Sequence, residues 1–261
     1  MNSWRIMAVV IKEWQDLRKN RMVLGTMVGM PLIFVLMSIG TSALLQSMTP
    51  EEAAQQSSGA PLAVLGMTAV QASQFVVADQ YMFYILMVPM SIPMSIVAYS
   101  VVGEKESRSL EPLLATPVTT KELLVAKSLV AVIPATLIAW FSFLVIVLGQ
   151  WLVVDEVVFW QMIRPVWTLG MALWSPMLAL LTALLGVSVS ARVKDVRAAQ
   201  SMIGIAVLPI IALSMVALFG QVALNLAHLL WATVALAALL FIVLRVATRA
   251  FDRESILTRW I

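Results

Sequence analysis

Residues 81–102 read YMFYILMVPMSIPMSIVAYSVV, and residues 103–127, which follow directly, read GEKESRSLEPLLATPVTTKELLVAK. The first stretch contains no Asp, Glu, Lys or Arg over 22 residues. A helix needs about 20 mostly apolar residues to cross a bilayer core of roughly 30 Å. The second stretch is the densest charged segment of the chain. A boundary this abrupt, met again along the sequence, makes lipid rather than water the main solvent.

Working outward, six such runs can be counted, near residues 22–45, 81–102, 128–148, 166–191, 201–220 and 222–244, and none contains a formal charge. The 261 residues are 61% apolar and 12% charged, whereas a soluble domain is about half apolar and about a quarter charged. The longest interval between runs, 46–80, is too short for a typical soluble domain of about 100 residues. The expected fold is therefore an all-α integral membrane protein, one domain over 1–261 with six transmembrane helices. A charged segment precedes the first run, and the run itself is too long for a signal peptide, so it is expected to stay uncleaved. The absence of cysteine excludes disulfides, thiol catalysis and thiolate metal sites.

Charge placement sets the orientation. With both termini in the cytoplasm, the inner segments hold 16 of the 17 basic residues, and Arg164 alone lies outside with Glu51, Glu52, Asp79, Asp155 and Glu156. The excess of Lys and Arg in short inner loops selects this orientation. The basic residues, among them those of the tail 245–261, then point to an anionic inner leaflet or a cytosolic partner, not to nucleic acid.

Ahead of the first run, Trp4, Met7, Ile11, Trp14 and Leu17 recur at helical spacing, with Arg5, Lys12, Asp16 and Lys19 on the opposite arc. This pattern predicts an amphipathic helix over 1–21 lying in the inner interface, with Arg18, Lys19 and Arg21 where the chain turns into the bilayer. A merely charged flank is the alternative. Pro89 and Pro93, four residues apart, remove two backbone bonds from one face of the second span and predict a kink there. Pro134, Pro176 and Pro209 are kink candidates in three other spans.

Within 103–127, Glu104 to Glu111 can form a short helix that Pro112 interrupts. Thr116 and Pro117 make a turn, and Thr119 with Glu122 matches a capping box that starts the third span in the cytoplasm. A short cytoplasmic helix across the inner mouth follows, with Leu110, Leu113 and Leu114 available to a partner. A solvated loop is the alternative. Trp151, Trp160 and Trp167 are expected along the outer interface.

Several chemistries are missing. The charge-free spans hold no intramembrane proton relay or ion-pair site. No hydrolase elbow or metalloprotease pair occurs, and no G-x-x-x-x-G-K-[ST] loop that would cradle ATP, so the chain is read as a non-enzyme. Met82, Met87, Met90 and Met94 invite a copper(I) reading because thioethers are soft ligands. Without His or Cys partners, packing methionine is the simpler account, and the lone His228 reads as an interfacial hydrogen-bonder.

The segment GEKESRSLEPLLATPVTTKELLVAK resembles the permease subunits of ABC-2 type exporters, with their charged cluster, Leu-Glu-x-Leu-Leu and Thr-Pro turn. The likeness extends along the chain: IKEWQDLRKNR is similar to that family's connecting helix, SARVKDVRAAQSMIGIAVLPIIAL to its second cytoplasmic loop and next helix, and FDRESILTRW to its usual ending. One departure is that relatives often carry a re-entrant hairpin between spans five and six, for which 220–225 leaves little room. The resemblance implies the membrane subunit of an ATP-driven exporter in a prokaryotic cell membrane. It would pair with a second copy or a paralogue and dock two cytosolic ATPase subunits, which would hold the ATP and magnesium. It maps a coupling helix onto 104–114 and a connecting helix onto 4–21. The implied ATPase contacts are Glu104, Lys105, Glu106, Arg108, Leu110, Glu111, Leu113 and Leu114, with Trp4, Ile11, Trp14, Leu17 and Arg18 on the connecting helix. Substrate identity stays open between a drug, a lipid-like molecule, a peptide and an ion.

Overall fold

A computed structural model of the chain describes residues 2–56, 66–106, 119–190, 192–193, 195–219 and 226–250. The described residues form helices and no strand: α1 (Ser3–Lys19), α2 (Arg21–Gln46), α3 (Pro50–Gln56), α4 (Ala69–Ile85), α5 (Val88–Glu106), α6 (Thr120–Val153), α7 (Glu156–Met162), α8 (Pro165–Ser190), α9 (Val196–Phe219) and α10 (Leu226–Ala250). Five helical stretches are long and apolar enough to cross a membrane, namely Arg21–Gln46, Ala69–Glu104, Glu122–Val153, Pro165–Ser190 and Leu229–Thr248. The described apolar part of α9, Val196–Ala212, is shorter. The interval 220–225, the tail from 251 and the Pro112 to Pro117 turn lie outside the described residues.

Side-chain chemistry explains the arrangement. α5 is the central helix, packed on α8, α6 and α9, and it buries Ile92, Ile96, Val97 and Val101. α8 closes the other side of that core with Leu181, Leu184 and Val187. Met82 and Met90 are buried in the same core, with Met87 and Met94 packed against it. The outward surface is apolar as well: Leu36 on α2, Phe141 on α6 and Trp231 on α10 are 60%, 68% and 76% exposed. Leaving a large apolar side chain in water forgoes about 1.5–3 kcal/mol, so a surface of this kind requires lipid around it.

Helix ends follow local sequence. The capping box expected at Thr119 and Glu122 is present, and Thr68 with Gln71 forms a second at the start of α4. Asn20 serves two helices at once. Its N–H donates to Leu17 O at the end of α1, while its Oδ1 accepts from the amides of Met22 and Val23 at the start of α2. One residue therefore makes the α1–α2 corner.

The prolines act unequally. α2, α6, α8 and α9 run on through Pro31, Pro134, Pro176 and Pro209. The chain breaks between α4 and α5, at Leu86 and Met87, just ahead of Pro89. Pro89 has no N–H for the carbonyl of Ile85, so the helix cannot continue in register. It restarts with Pro89 in the first turn, where that N–H is not needed. Pro93 lies inside the restarted α5.

α5 and α8 approach closely at Gly186, where an added Cβ would lie 3.1 Å from Val97 Cγ1 and 3.2 Å from Val97 Cβ. Val97 is β-branched and stiff at χ1, so it cannot yield easily. Gly186→Ala is expected to cost about 1–3 kcal/mol by overpacking, measured as a lowered melting temperature in detergent. An unchanged melting temperature would show that α5 and α8 can slide apart at no cost.

Candidate functional site

The charged groups gather at the two ends of the helix bundle. At the end where α5 finishes and α6 begins, α1 lies across both. The backbone N–H of Asn2 donates to Glu122 Oε1 (2.7 Å), so the carboxylate that caps α6 also holds the start of α1. One turn further into α6, Lys127 is 1% exposed by its side chain. Its ammonium donates to Glu13 Oε1 on α1 at 2.8 Å and to Ser100 Oγ on α5 at 2.6 Å, and lies 2.8 Å from Glu104 Oε2 on α5. Glu13 and Ser100 take two of the three N–H donors of the ammonium, and Glu104 adds a second negative charge at ion-pair distance.

The cluster closes on itself. Ser100 Oγ donates to Glu13 Oε2 at 2.6 Å, and Lys12 on α1 pairs with Glu104 Oε1 while reaching Asp16 at 3.7 Å. Lys12, Glu13, Glu104 and Lys127 sum to zero charge. Taking single ions out of water costs several kcal/mol each, and only close, hydrogen-bonded opposite charges compensate it. The pairing is thus the condition for burying Glu13 and Glu104. A crevice of about 90 Å³ opens beside it, lined by Glu13, Asp16, Asn20, Tyr99 and Ser100.

Burial would raise the Glu13 carboxyl, yet Lys127, the Ser100 hydroxyl and Lys12 outweigh burial and hold it at about 2. Burial would lower Lys12, and the Glu104 carboxylate outweighs this, raising the ammonium above its ordinary 10.5. The depressed Glu13 contributes docking that is complete above the ordinary carboxyl value of 4.5 and is lost as pH falls through about 2. The raised Lys12 contributes docking that is complete below 10.5 and is lost only at higher pH. α1 should therefore stay docked from about pH 5 to about pH 10. Spin labels at Gln15Cys on α1 and Leu129Cys on α6, placed in a chain without native cysteine, should give one distance over that window. A distance that changes between pH 6 and pH 8 would contradict this assignment.

Of the residues singled out in the sequence, Glu104 is central to the cluster, and the backbone of Lys105 and Glu106 completes α5. Arg108, Leu110, Glu111, Leu113 and Leu114 lie outside the described residues. On α1, the apolar set divides. Leu17 turns into the bundle with Ile6, Val9 and Val10, whereas Trp4, Met7 and Ile11 are exposed, at 83%, 55% and 52%, and Arg18 stacks over the half-buried Trp14 at 5.4 Å. Sequence reasoning missed Glu13, Ser100 and Lys127 as a unit. The available signal was Glu13 itself, a carboxylate on the same helical arc as Val9 and Leu17, which demands a buried base.

The opposite end carries a second cluster. Asp79 Oδ1 of α4 accepts from the Arg164 guanidinium and, at 2.7 Å, from the Trp167 indole N–H of α8. Trp167 is 6% exposed, so of the three tryptophans expected at that interface Trp151 and Trp160 are exposed and Trp167 faces inward. The Asp79 carboxylate needs its indole donor. Gln71 also donates to Asp155 Oδ2 at 2.9 Å. Nearer the middle, Gln150 Nε2 reaches Ser38 Oγ at 2.9 Å and Gln74 Nε2 reaches Ser42 O at 3.1 Å, all four residues being buried.

Among the described residues there is no group of three or more His, Asp or Glu side chains able to hold a metal ion. Compared with known proteins, the chain matches the family described as ABC-2 family transporter protein over residues 7–248. No curated protein matches it.

Proposed function

We propose, from the premise that this chain belongs to the ABC-2 transporter family, that it is the membrane-spanning permease subunit of an ATP-driven exporter in a prokaryotic cell membrane. In this reading α9 completes six membrane crossings, both termini lie in the cytoplasm, and α1 rests in the inner interface. Two copies, or one copy and a paralogue, pair in the membrane. Two cytosolic ATPase subunits dock on the segment 104–114 and bind the ATP and magnesium. The substrate is a drug, lipid-like molecule, peptide or ion carried outward.

The observation that carries the reading, beyond the family itself, is that α1 is ion-paired to both flanks of the segment 107–118, to Glu104 before it and to Lys127 after it. A push on that segment cannot move α5 or α6 without moving α1. Such a linkage suits a subunit driven from outside the membrane, since an ATPase can only shift an equilibrium between membrane states that it contacts differently. The helix break at Pro89 provides a place for the resulting displacement to be taken up.

The test is to purify the tagged chain at native expression level in mild detergent and identify its partners by mass spectrometry. An ATPase bearing a G-x-x-x-x-G-K-[ST] loop is expected in equimolar amount, and its absence after crosslinking would remove the exporter reading. Glu106→Gln with Glu111→Gln should lower ATPase recovery severalfold and leave membrane insertion unchanged. Undiminished recovery would exclude this segment as the docking site.

A further inference from the structure

Around the α1–α2 corner, Arg18, Lys19 and Arg21 place three cations within four positions, all exposed, and no carboxylate among the described residues pairs with them. This sets them apart from Lys12 and Lys127, whose charges are neutralised in the cluster. The corner is fixed, because Asn20 bonds to both helices it joins. Viewed down α1, Arg18 does not fall on the polar flank with Arg5, Lys12 and Lys19. It falls on the apolar flank with Trp4, Met7, Ile11 and Trp14, its guanidinium held over the Trp14 ring at 5.4 Å. That flank runs on into the exposed apolar side chains of α2, beginning with Met22. A cation held beside an indole at the margin of an apolar surface, with two more at the point of entry into the bilayer, is complementary to a phosphodiester at headgroup depth.

We propose that this corner is a binding site for an anionic phospholipid of the inner leaflet, with Arg18, Lys19 and Arg21 around its phosphate and Trp14 beside its glycerol region. The site deepens the membrane placement of α1 given above and does not depend on the identity of the ATPase. Through it, the charge of the leaflet would act on the helix that clamps α5 to α6. A lipid released from this corner would leave α1 held by the ion cluster, the Asn2–Glu122 bond and its buried apolar residues, so the anionic lipid content of the membrane would adjust how firmly α1 follows the bundle.

The full chain, purified in detergent and exchanged free of lipid, can be titrated with phosphatidylglycerol and separately with phosphatidylcholine of the same acyl chains, counting bound lipid by native mass spectrometry. Wild type is expected to bind phosphatidylglycerol about tenfold more tightly, a preference that added salt weakens. Arg18→Gln/Lys19→Gln/Arg21→Gln should lose the preference, and Arg192→Gln/Lys194→Gln/Arg197→Gln, an equal charge change in another basic segment, should keep it. Arg18→Gln alone, on an exposed side chain, should lose about fivefold, which keeps the test decisive if the triple variant folds poorly. The proposal is overturned by equal binding of the two lipids or by a triple variant that retains the preference. Displacement by soluble glycerol phosphate at the same concentration would also overturn it, as an anion site and not a lipid site. Loss of a cytosolic protein from the triple variant with lipid preference intact would reassign the corner to that protein. Since the titration contains no ATPase, failure of the exporter reading would leave its result standing.

Discussion

Lys127→Met is expected to undock α1 and to destabilise the protein by about 3–5 kcal/mol, the usual cost of removing one partner from a buried ion pair. The side chain is nearly fully buried, and it supplies the nearest positive charge to Glu13 and one of the two that face Glu104. Methionine fills a similar volume, so the loss is electrostatic and not a cavity. Lys12 remains, but its side chain is 43% exposed and it cannot replace all three contacts. The prediction is checked by the melting temperature in detergent and by the spin-label distance between Gln15Cys and Leu129Cys, which should broaden and lengthen. If coupling runs through this cluster, ATP hydrolysis by the assembled complex should also lose its dependence on transported substrate while membrane insertion is unaffected. The rescue is more diagnostic than the loss. Glu13→Gln/Glu104→Gln/Lys127→Met removes the stranded charges together, and neutral replacements of a buried ionic group are often tolerated. Most of the stability should return, giving a large non-additive term in the mutant cycle. Additive costs would show that the three side chains do not act as one unit.

Much of the fold was legible because its causes are local. A run of about 20 uncharged residues announces a helix that crosses the bilayer, and the start of α6 was readable from Thr119 and Glu122, whose bonds span three residues. Glu13 stood out on the arc of Val9 and Leu17, but its partners were not legible, for the opposite reason. Whether Glu13 is buried depends on Lys127, 114 residues away, and a helical wheel drawn for α1 alone sorts residues by polarity and not by partner. The same blindness hid the burial of Trp167, since its turn inward is decided by Asp79 on another helix. Pro89 was marked in the sequence by Pro93 four residues on, a pairing that Pro31 lacks, but the pairing foretold a kink and not a full break. What distinguishes Pro89 is that the chain on either side of it has different neighbours. The family resemblance singled out Glu104, and the charge that holds Glu104 to α1 had to come from the three-dimensional arrangement.

Those different neighbours make Pro89→Ala the second large effect. The stretch Ala69–Glu104 counts 36 residues, about 54 Å as one straight helix, well beyond a bilayer core of roughly 30 Å. The break lets α4 follow α2 and α7 while α5 follows α8, α6 and α9. Alanine would restore a donor for the Ile85 carbonyl and favour a continuous helix by up to about 3 kcal/mol, the difference between the two residues in a helix interior. If the break is where the bundle rearranges between its two transport states, a bias of that size shifts their ratio by up to about 100-fold. Substrate export by the reconstituted complex should then fall toward background although the ATPase still docks. Pro93→Ala should do less, because α5 already runs through Pro93 without interruption. Hydrogen exchange reads the cause directly: the amides of Val88 and of the new alanine at 89 should be protected in Pro89→Ala by bonds to the carbonyls of Tyr84 and Ile85. Were they to stay fast in the variant, the proline would not be the cause of the break. Packing of α4 against α2 would then hold the two segments apart, and the flexible point of the membrane domain would have to be sought in those contacts instead.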